Sequence, residues 1–222
     1  MRPFRLGEPG RPLQSILCIG AHCDDIEIGC GGTLLQLCRQ HPGVTVDWFI
    51  AVAPAQRAEE SRQAAGRLLQ DAGSYRLDLH DFPDGHLPYC ASEVKNRLRA
   101  LASGINPDIV LTHTKDDAHQ DHRFLAELTW QTFRDHVVVE YEIPKYDGDL
   151  GRPNFFVPLA HEAVDRKVNC LLECFPTQRG KPWFDADTFR GLMRLRGMEC
   201  RSPSGFAEAF HLRKGIWLSP EL

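Results

Sequence analysis

Two short polar segments concentrate the residues that could do chemistry. The first is Ala21-His22-Cys23-Asp24-Asp25-Ile26-Glu27, and the second is His113-Thr114-Lys115-Asp116-Asp117-Ala118-His119-Gln120-Asp121-His122. Two imidazoles and one carboxylate, with a position left for water, make a catalytic Zn²⁺ site. Water held there drops to a pKa of about 7 and becomes a hydroxide-like nucleophile. Adjacent carboxylates after a tight turn cannot point the same way. One of Asp24 and Asp25 can bind the metal while the other serves as general base. Residue types alone do not choose between them. Read singly, Asp24-Asp25 is also a turn with a helix cap, and His119-Gln120-Asp121-His122 a solvated helix start.

What makes the two segments one site is the elements that carry them. Ser15–Gly20 is a short continuous apolar run, the pattern of a buried parallel strand. Val44–Ala53, Tyr75–Leu79, Asp108–Thr112 and Val137–Ile143 read as four more strands. Helical patterns separate the first four: Thr33–Arg39 after a Gly29–Gly32 turn, Gln56–Asp71, and Ser92–Ser103 with Ser92 as N-cap. Asp121–Arg134 is a further helix before the fifth strand. The alternation predicts an α/β fold: a Rossmann-like parallel sheet with helices on both faces. A C-terminal α+β segment extends it, with helices over Ala160–Cys174 and Asp187–Arg196 and a last strand at Phe206–Arg213. Residues 144–158 read as a long loop, a feature that is usually functional. We expect an N-terminal arm over residues 1–14 and one domain over 15–222. In such sheets ligands bind beyond the carboxyl ends of the strands. The first and fourth strands would deliver both polar segments to that rim.

Composition narrows the classes. The chain has 222 residues and a net charge of −4, from 26 basic and 30 acidic side chains. One domain of this size needs no staples, and the charge balance does not suit nucleic acid. No apolar run reaches the length of a membrane span, and Met1–Gly7 lacks the apolar stretch of a signal peptide. We expect a cytoplasmic protein without membrane insertion. The eight cysteines form no C-x-x-C pair and read as reduced, mostly buried thiols. Gly29-Cys30-Gly31-Gly32 suggests a phosphate loop, yet neither GxxxxGK[ST] nor GxGxxG is present.

The paired motifs resemble those of the PIG-L/LmbE-like family of zinc-dependent N-deacetylases. Ala21-His22-Cys23-Asp24-Asp25 stands for that family's A-H-P-D-D, and His119-Gln120-Asp121-His122 for its H-x-D-H. Cys23 replaces the usual proline, either as a spacer or as a thiolate close to the metal. The resemblance covers residues 15 to about 145 well and the remainder loosely. It implies that His22, Asp25 and His122 bind Zn²⁺, with Fe²⁺ suited to the same set. It implies that Asp24 is the general base, that His119 stabilises the oxyanion, and that Asp121 orients an imidazole, either His119 or a ligand. The implied reaction removes an N-acetyl or other N-acyl group from an amino sugar or its conjugate, by attack of water held on the metal. Arg57, Asp84, His113 and Tyr146 are candidate substrate contacts, with His86 and Asp147 as further polar groups near the rim. Tyr141 or Tyr146 would form a polar wall in a loop closing over the sugar. Arg194 and Arg196 read as a solvated face, or as a phosphate contact. Family members often self-associate, which implies a homo-oligomer. An amidase acting on a non-sugar N-acyl compound would use the same machinery. A metal phosphoesterase would need more carboxylate ligands or a bridging one, and a non-catalytic sugar- or nucleotide-binding module of Rossmann type would bind its ligand normally after chelation.

Overall fold

The computed structural model describes residues 12–216. Most of the expected N-terminal arm, residues 1–11, lies outside them. Five parallel strands form the first part of the sheet: β1 (Ser15–His22), β2 (Thr45–Val52), β3 (Ser74–Leu79), β4 (Ile109–His113) and β5 (Val137–Tyr141). Between them run α1 (Asp25–Gln40), α2 (Ala55–Leu68), α3 (Ala91–Gly104) and α4 (Gln120–Thr132). After β5 come β6 (Phe155–Pro158), α5 (His161–Cys174), α6 (Ala186–Cys200) and β7 (Ala207–Leu212). The seven strands lie in the order β3-β2-β1-β4-β5-β7-β6. The expected α/β sheet is observed, closed at one end by the antiparallel pair β7 and β6.

Alternation along β1 splits the core in two. Ile16 and Cys18 pack with residues of α1, α2, α5 and α6. Leu17, Ile19 and Ala21 pack with α3 and α4. A strand buried on both faces must be apolar throughout, which is why β1 reads as a continuous run.

The segment Gly29–Gly32 is not a turn but part of α1, so it frames no phosphate loop. Its glycines answer to close packing. A Cβ at Gly29 would lie 2.3 Å from the Tyr141 ring, and one at Gly32 would lie 2.7 Å from Leu159. Two side chains also bond to the α1 backbone there. Glu208 accepts from the Gly32 and Thr33 amides at 2.8 and 2.7 Å, and Lys167 donates to the Ile28 carbonyl. Residues 144–158 are not wholly loop, because Phe155–Pro158 pairs with β7, a partner about fifty residues away in sequence. Ser92 does not cap α3; Cys90 holds that position, with no side-chain cap.

Candidate active site

β1 and β4 run parallel and side by side, so His22 and His113 end at the same edge of the sheet. Beyond β1 the chain turns at Asp24, whose φ of 99° is left-handed. A non-glycine residue there carries about 1–3 kcal/mol of strain, a cost that tends to gather at functional sites. The turn divides the two carboxylates. Asp25 Oδ2 folds back to accept from the His22 amide at 2.7 Å. Asp24 meets the Arg57 guanidinium at 3.0 Å.

Three donor atoms then face one another. His22 Nδ1 lies 3.1 Å from His122 Nε2 and 3.4 Å from Asp25 Oδ2, and His122 Nε2 lies 3.5 Å from Asp25 Oδ2. Bonds of 2.0–2.1 Å to a tetrahedral ion put ligand atoms about 3.3–3.4 Å apart. The triangle therefore fits Zn²⁺ without rearrangement. The hydrogen bonds behind it set the tautomers. His122 Nδ1 faces Asp117 Oδ2 at 3.0 Å, which leaves Nε2 with its lone pair. His22 Nε2 faces Asp84 at 3.0 Å and Asp121 at 3.3 Å, which turns Nδ1 toward the triangle.

Other close groupings exist, including Asp25 with His113 and His122, and His22 with Asp84 and Asp121. One member of each already accepts from a backbone amide. His113 Nε2 accepts from the Ala21 amide at 2.9 Å. Asp121 accepts from the Gly85 and Leu87 amides at 2.8 and 3.0 Å.

Protonation follows the geometry. Burial, reinforced by the neighbouring His113, lowers His122 to about 4, so it is a neutral imidazole. Burial opposes the charged form of His22, but hydrogen bonds to Asp121, Asp25 and Asp84 outweigh it and hold the group well above its usual value, so a metal would take the place of the Nδ1 proton that Asp25 accepts. Burial also works against ionised Asp25, yet His122 and His113 keep it well below the usual carboxylate range. Burial pushes Asp24 up to about 7 against the pull of Arg57, the range suited to a general base at neutral pH. His119 caps α4: its Nδ1 accepts from the Asp121 amide at 3.2 Å, so the neutral ring carries its proton on Nε2. Burial, and then His22, lower its pKa and favour that neutral form.

A cleft of about 140 Å³ is lined by His22, Asp24, Asp25, Arg57, Asp84, His119 and His122, together with Ile143, Lys145, Lys181 and Trp183. Several expectations do not hold as placements. His113 is fully buried beneath the triangle rather than facing substrate, because it is the last residue of β4 and not the first of the loop. Tyr146 is 72% exposed and does not line the cleft. Tyr141 is core, its hydroxyl donating to the Ile19 carbonyl, so neither tyrosine forms a polar wall. His86 and Asp147 are exposed and also absent from the lining. Asp121 keeps one of its two expected partners: it lies under the cleft against the proposed ligand His22 rather than His119's ring, and it also holds the turn 83–87. Arg196 is no solvated group: it is buried against Glu142. Cys23 points its thiol at the Val52 carbonyl, and burial raises its pKa, so no thiolate faces the cleft.

Sequence reasoning passed over Asp117, Lys145, Lys181 and Trp183. Asp117 was findable, since a ligating histidine needs a carboxylate or carbonyl behind it. The other three come from loops far along the chain.

Residues 17–133 match the PIG-L family, GlcNAc-PI de-N-acetylase, and the chain belongs to that family. It is 28% identical over 138 residues to a diacetylchitobiose deacetylase of Thermococcus kodakarensis, a match covering 54% of this chain. The chain spans about half the length of that relative (49%). Solved structures share the fold. The conserved protein TT1542 of Thermus thermophilus aligns with a TM-score of 0.71 at 21% identity, over 94% of this chain and 98% of its own. The N,N'-diacetylchitobiose deacetylase of Pyrococcus horikoshii gives 0.69 at 20%, over 94% and 87%. GalB, the 4-carboxy-2-hydroxymuconate hydratase of Pseudomonas putida, gives 0.75 at 17%, over 93% and 99%. One fold thus carries hydrolases and a hydratase, and the site has to decide the chemistry.

Proposed function

We propose that this protein is a metal-dependent N-deacetylase that hydrolyses the N-acetyl or N-acyl amide of an amino sugar or its conjugate. The carrying observation is the convergence of His22 Nδ1, Asp25 Oδ2 and His122 Nε2 beside an unligated Asp24 and a proton-bearing His119 Nε2. Zn²⁺, or Fe²⁺ on the same donors, would polarise the amide carbonyl and acidify water.

The remaining work falls to the chain's own side chains. Asp24 accepts the proton of the attacking water, poised by burial and restrained by Arg57. His119 Nε2–H donates to the oxygen that gains charge as the carbonyl carbon becomes tetrahedral. Asp24 then returns its proton to the departing amine. Asp117 and Asp121 hold the His122 and His22 rings in the required tautomers. Arg57 and Asp84 stand at the cleft as substrate contacts. No helix among the described residues is long and apolar enough to cross a membrane. We assign the enzyme to the cytoplasm, where its eight unpaired thiols stay reduced.

The test is amine release from a panel of N-acetylated amino sugars and non-sugar N-acyl amines, with the protein loaded with Zn²⁺. Release from amino sugars is the expected result. Release from the non-sugar amides alone would make it a different amidase, and release from none would reject the reading.

A further inference from the structure

A second wall of the cleft belongs to none of the motifs. It is the segment between Phe175 and Asp185, which contributes Lys181 and Trp183 and lies outside residues 17–133. Its placement is fixed at both ends. Thr177 donates its amide and its hydroxyl to Glu60 at 3.0 and 2.6 Å, one turn of α2 beyond Arg57. Phe184 packs edge-on against Phe189 at 5.1 Å, and Trp183 packs edge-on against Phe184 at 5.6 Å. Asp185 caps α6 by accepting from the Thr188 amide at 2.6 Å. The half-buried Trp183 thus presents a fixed aromatic group, with the Lys181 ammonium 5.5 Å from the ring centre.

Charge pairing sets Lys181 apart. Arg57 is neutralised by Asp24 at 3.0 Å, and Lys145 by Asp117 at 3.0 Å and Asp149 at 2.6 Å. The cleft carboxylates have partners too: Asp25 meets His122 and His22, and Asp84 meets His22. Among the described residues, Lys181 is the cleft cation without a carboxylate within 4.0 Å. Ligand sites that enclose a whole small molecule usually run to about 300–1,000 Å³. A cleft of about 140 Å³ admits the acylamino end and leaves the rest of the substrate at the wall.

We propose that Lys181 and Trp183 form a subsite for an anionic substituent, so that the substrate is an N-acylated amino sugar bearing a phosphate or carboxylate. This rests on the deacetylase reading of the same cleft. Trp183 takes the apolar face of the sugar ring, and Lys181 pairs with the anion.

The experiment compares kcat/KM on N-acetylglucosamine, on its esters phosphorylated at the anomeric or the primary hydroxyl, and on N-acetylmuramic acid. Calorimetric binding of glucosamine and glucosamine phosphate to wild-type protein and Lys181→Met runs in parallel. We expect at least one anionic sugar to exceed the neutral one by about tenfold, mainly through KM. That ratio should shrink at high salt and fall to about one in Lys181→Met. The phosphate esters and the muramic acid arm separate phosphate from carboxylate. Neutral sugar turned over as well as every anionic one, or a preference surviving in Lys181→Met, overturns the subsite. If no sugar is hydrolysed but glucosamine phosphate still binds about tenfold tighter than glucosamine through Lys181, the reaction fails and the subsite stands. If neither turnover nor binding favours the anion, the subsite is rejected whatever the reaction.

Discussion

Two groups of buried charges in this protein look alike in composition and differ in how they are closed. Beneath α1, Lys167 and Glu208 form an ion pair at 2.6 Å, each side chain 3% exposed. Backbone groups add to the pair: Glu208 also takes the Gly32 and Thr33 amides, and Lys167 the Ile28 carbonyl. At the end of β1 and β4 the charges are less buried, with the His22 side chain 12% exposed, and they converge instead of pairing off. His22 Nδ1, Asp25 Oδ2 and His122 Nε2 converge within 3.1–3.5 Å of one another, and Asp24 sits in a strained turn beside them. A closed pair organises the fold, here by entering the helix ladder just after the turn that carries Asp25. An open set leaves its valence for something that arrives later.

The comparison can be broken most readily at the open end. Asp24→Ala and His119→Ala should each lower kcat by at least about 100-fold while the folded protein keeps its metal. His22→Ala and His122→Ala should lose metal as well, measured by elemental analysis after dialysis. Turnover close to wild type in Asp24→Ala would remove the base from the account.

The closed pair should give the opposite pattern. Lys167→Met leaves Glu208 buried without its cation, and denaturant unfolding should show a loss of about 3–5 kcal/mol. Metal content per folded chain should not change. Metal loss with full stability would mean that the pair belongs to the site and not to the scaffold.

A smaller effect concerns Glu27, fully buried in the first turn of α1, with one oxygen on the Ser61 hydroxyl and the other without a hydrogen bond. Burial pushes its carboxyl from 4.5 to about 8. Its folded pKa is raised, so the native state holds the extra proton and stability falls as pH climbs between those values. Glu27→Gln should flatten that fall in metal-free protein, followed as Tm against pH. The smallest change is expected at Cys23, whose thiol faces the core. Cys23→Ser should leave metal content and kcat within about twofold, with a stability cost of about 1 kcal/mol. Loss of metal there would restore the thiolate as a ligand.

Much of this was legible in the sequence because it is local. A buried parallel strand is an uninterrupted apolar run, and its end shows as an abrupt change to His and Asp, so the first and fourth strands and their polar ends could be read directly. What was misread depends on distant partners. Gly29–Gly32 looks like a turn until Tyr141 and Leu159 are seen to press on it. Phe155–Pro158 is too short and proline-bearing to announce a strand, and β7 makes it one. Tyr146 lay in the expected loop, but the neighbouring Lys145 reaches the cleft. Lys181 and Trp183 carry no local signal, since their position follows from Glu60, Phe184 and Phe189.

The central claim is that the open charges hold one catalytic metal with Asp24 as base. The direct measurement strips the protein with a chelator, then titrates Zn²⁺ or Fe²⁺ back while following amine release from an N-acetylated amino sugar. The account predicts no release from stripped protein, recovery complete near one ion per chain, and no recovery in Asp24→Ala despite equal metal uptake. Undiminished release after chelation, or recovery that needs two ions per chain, would contradict it.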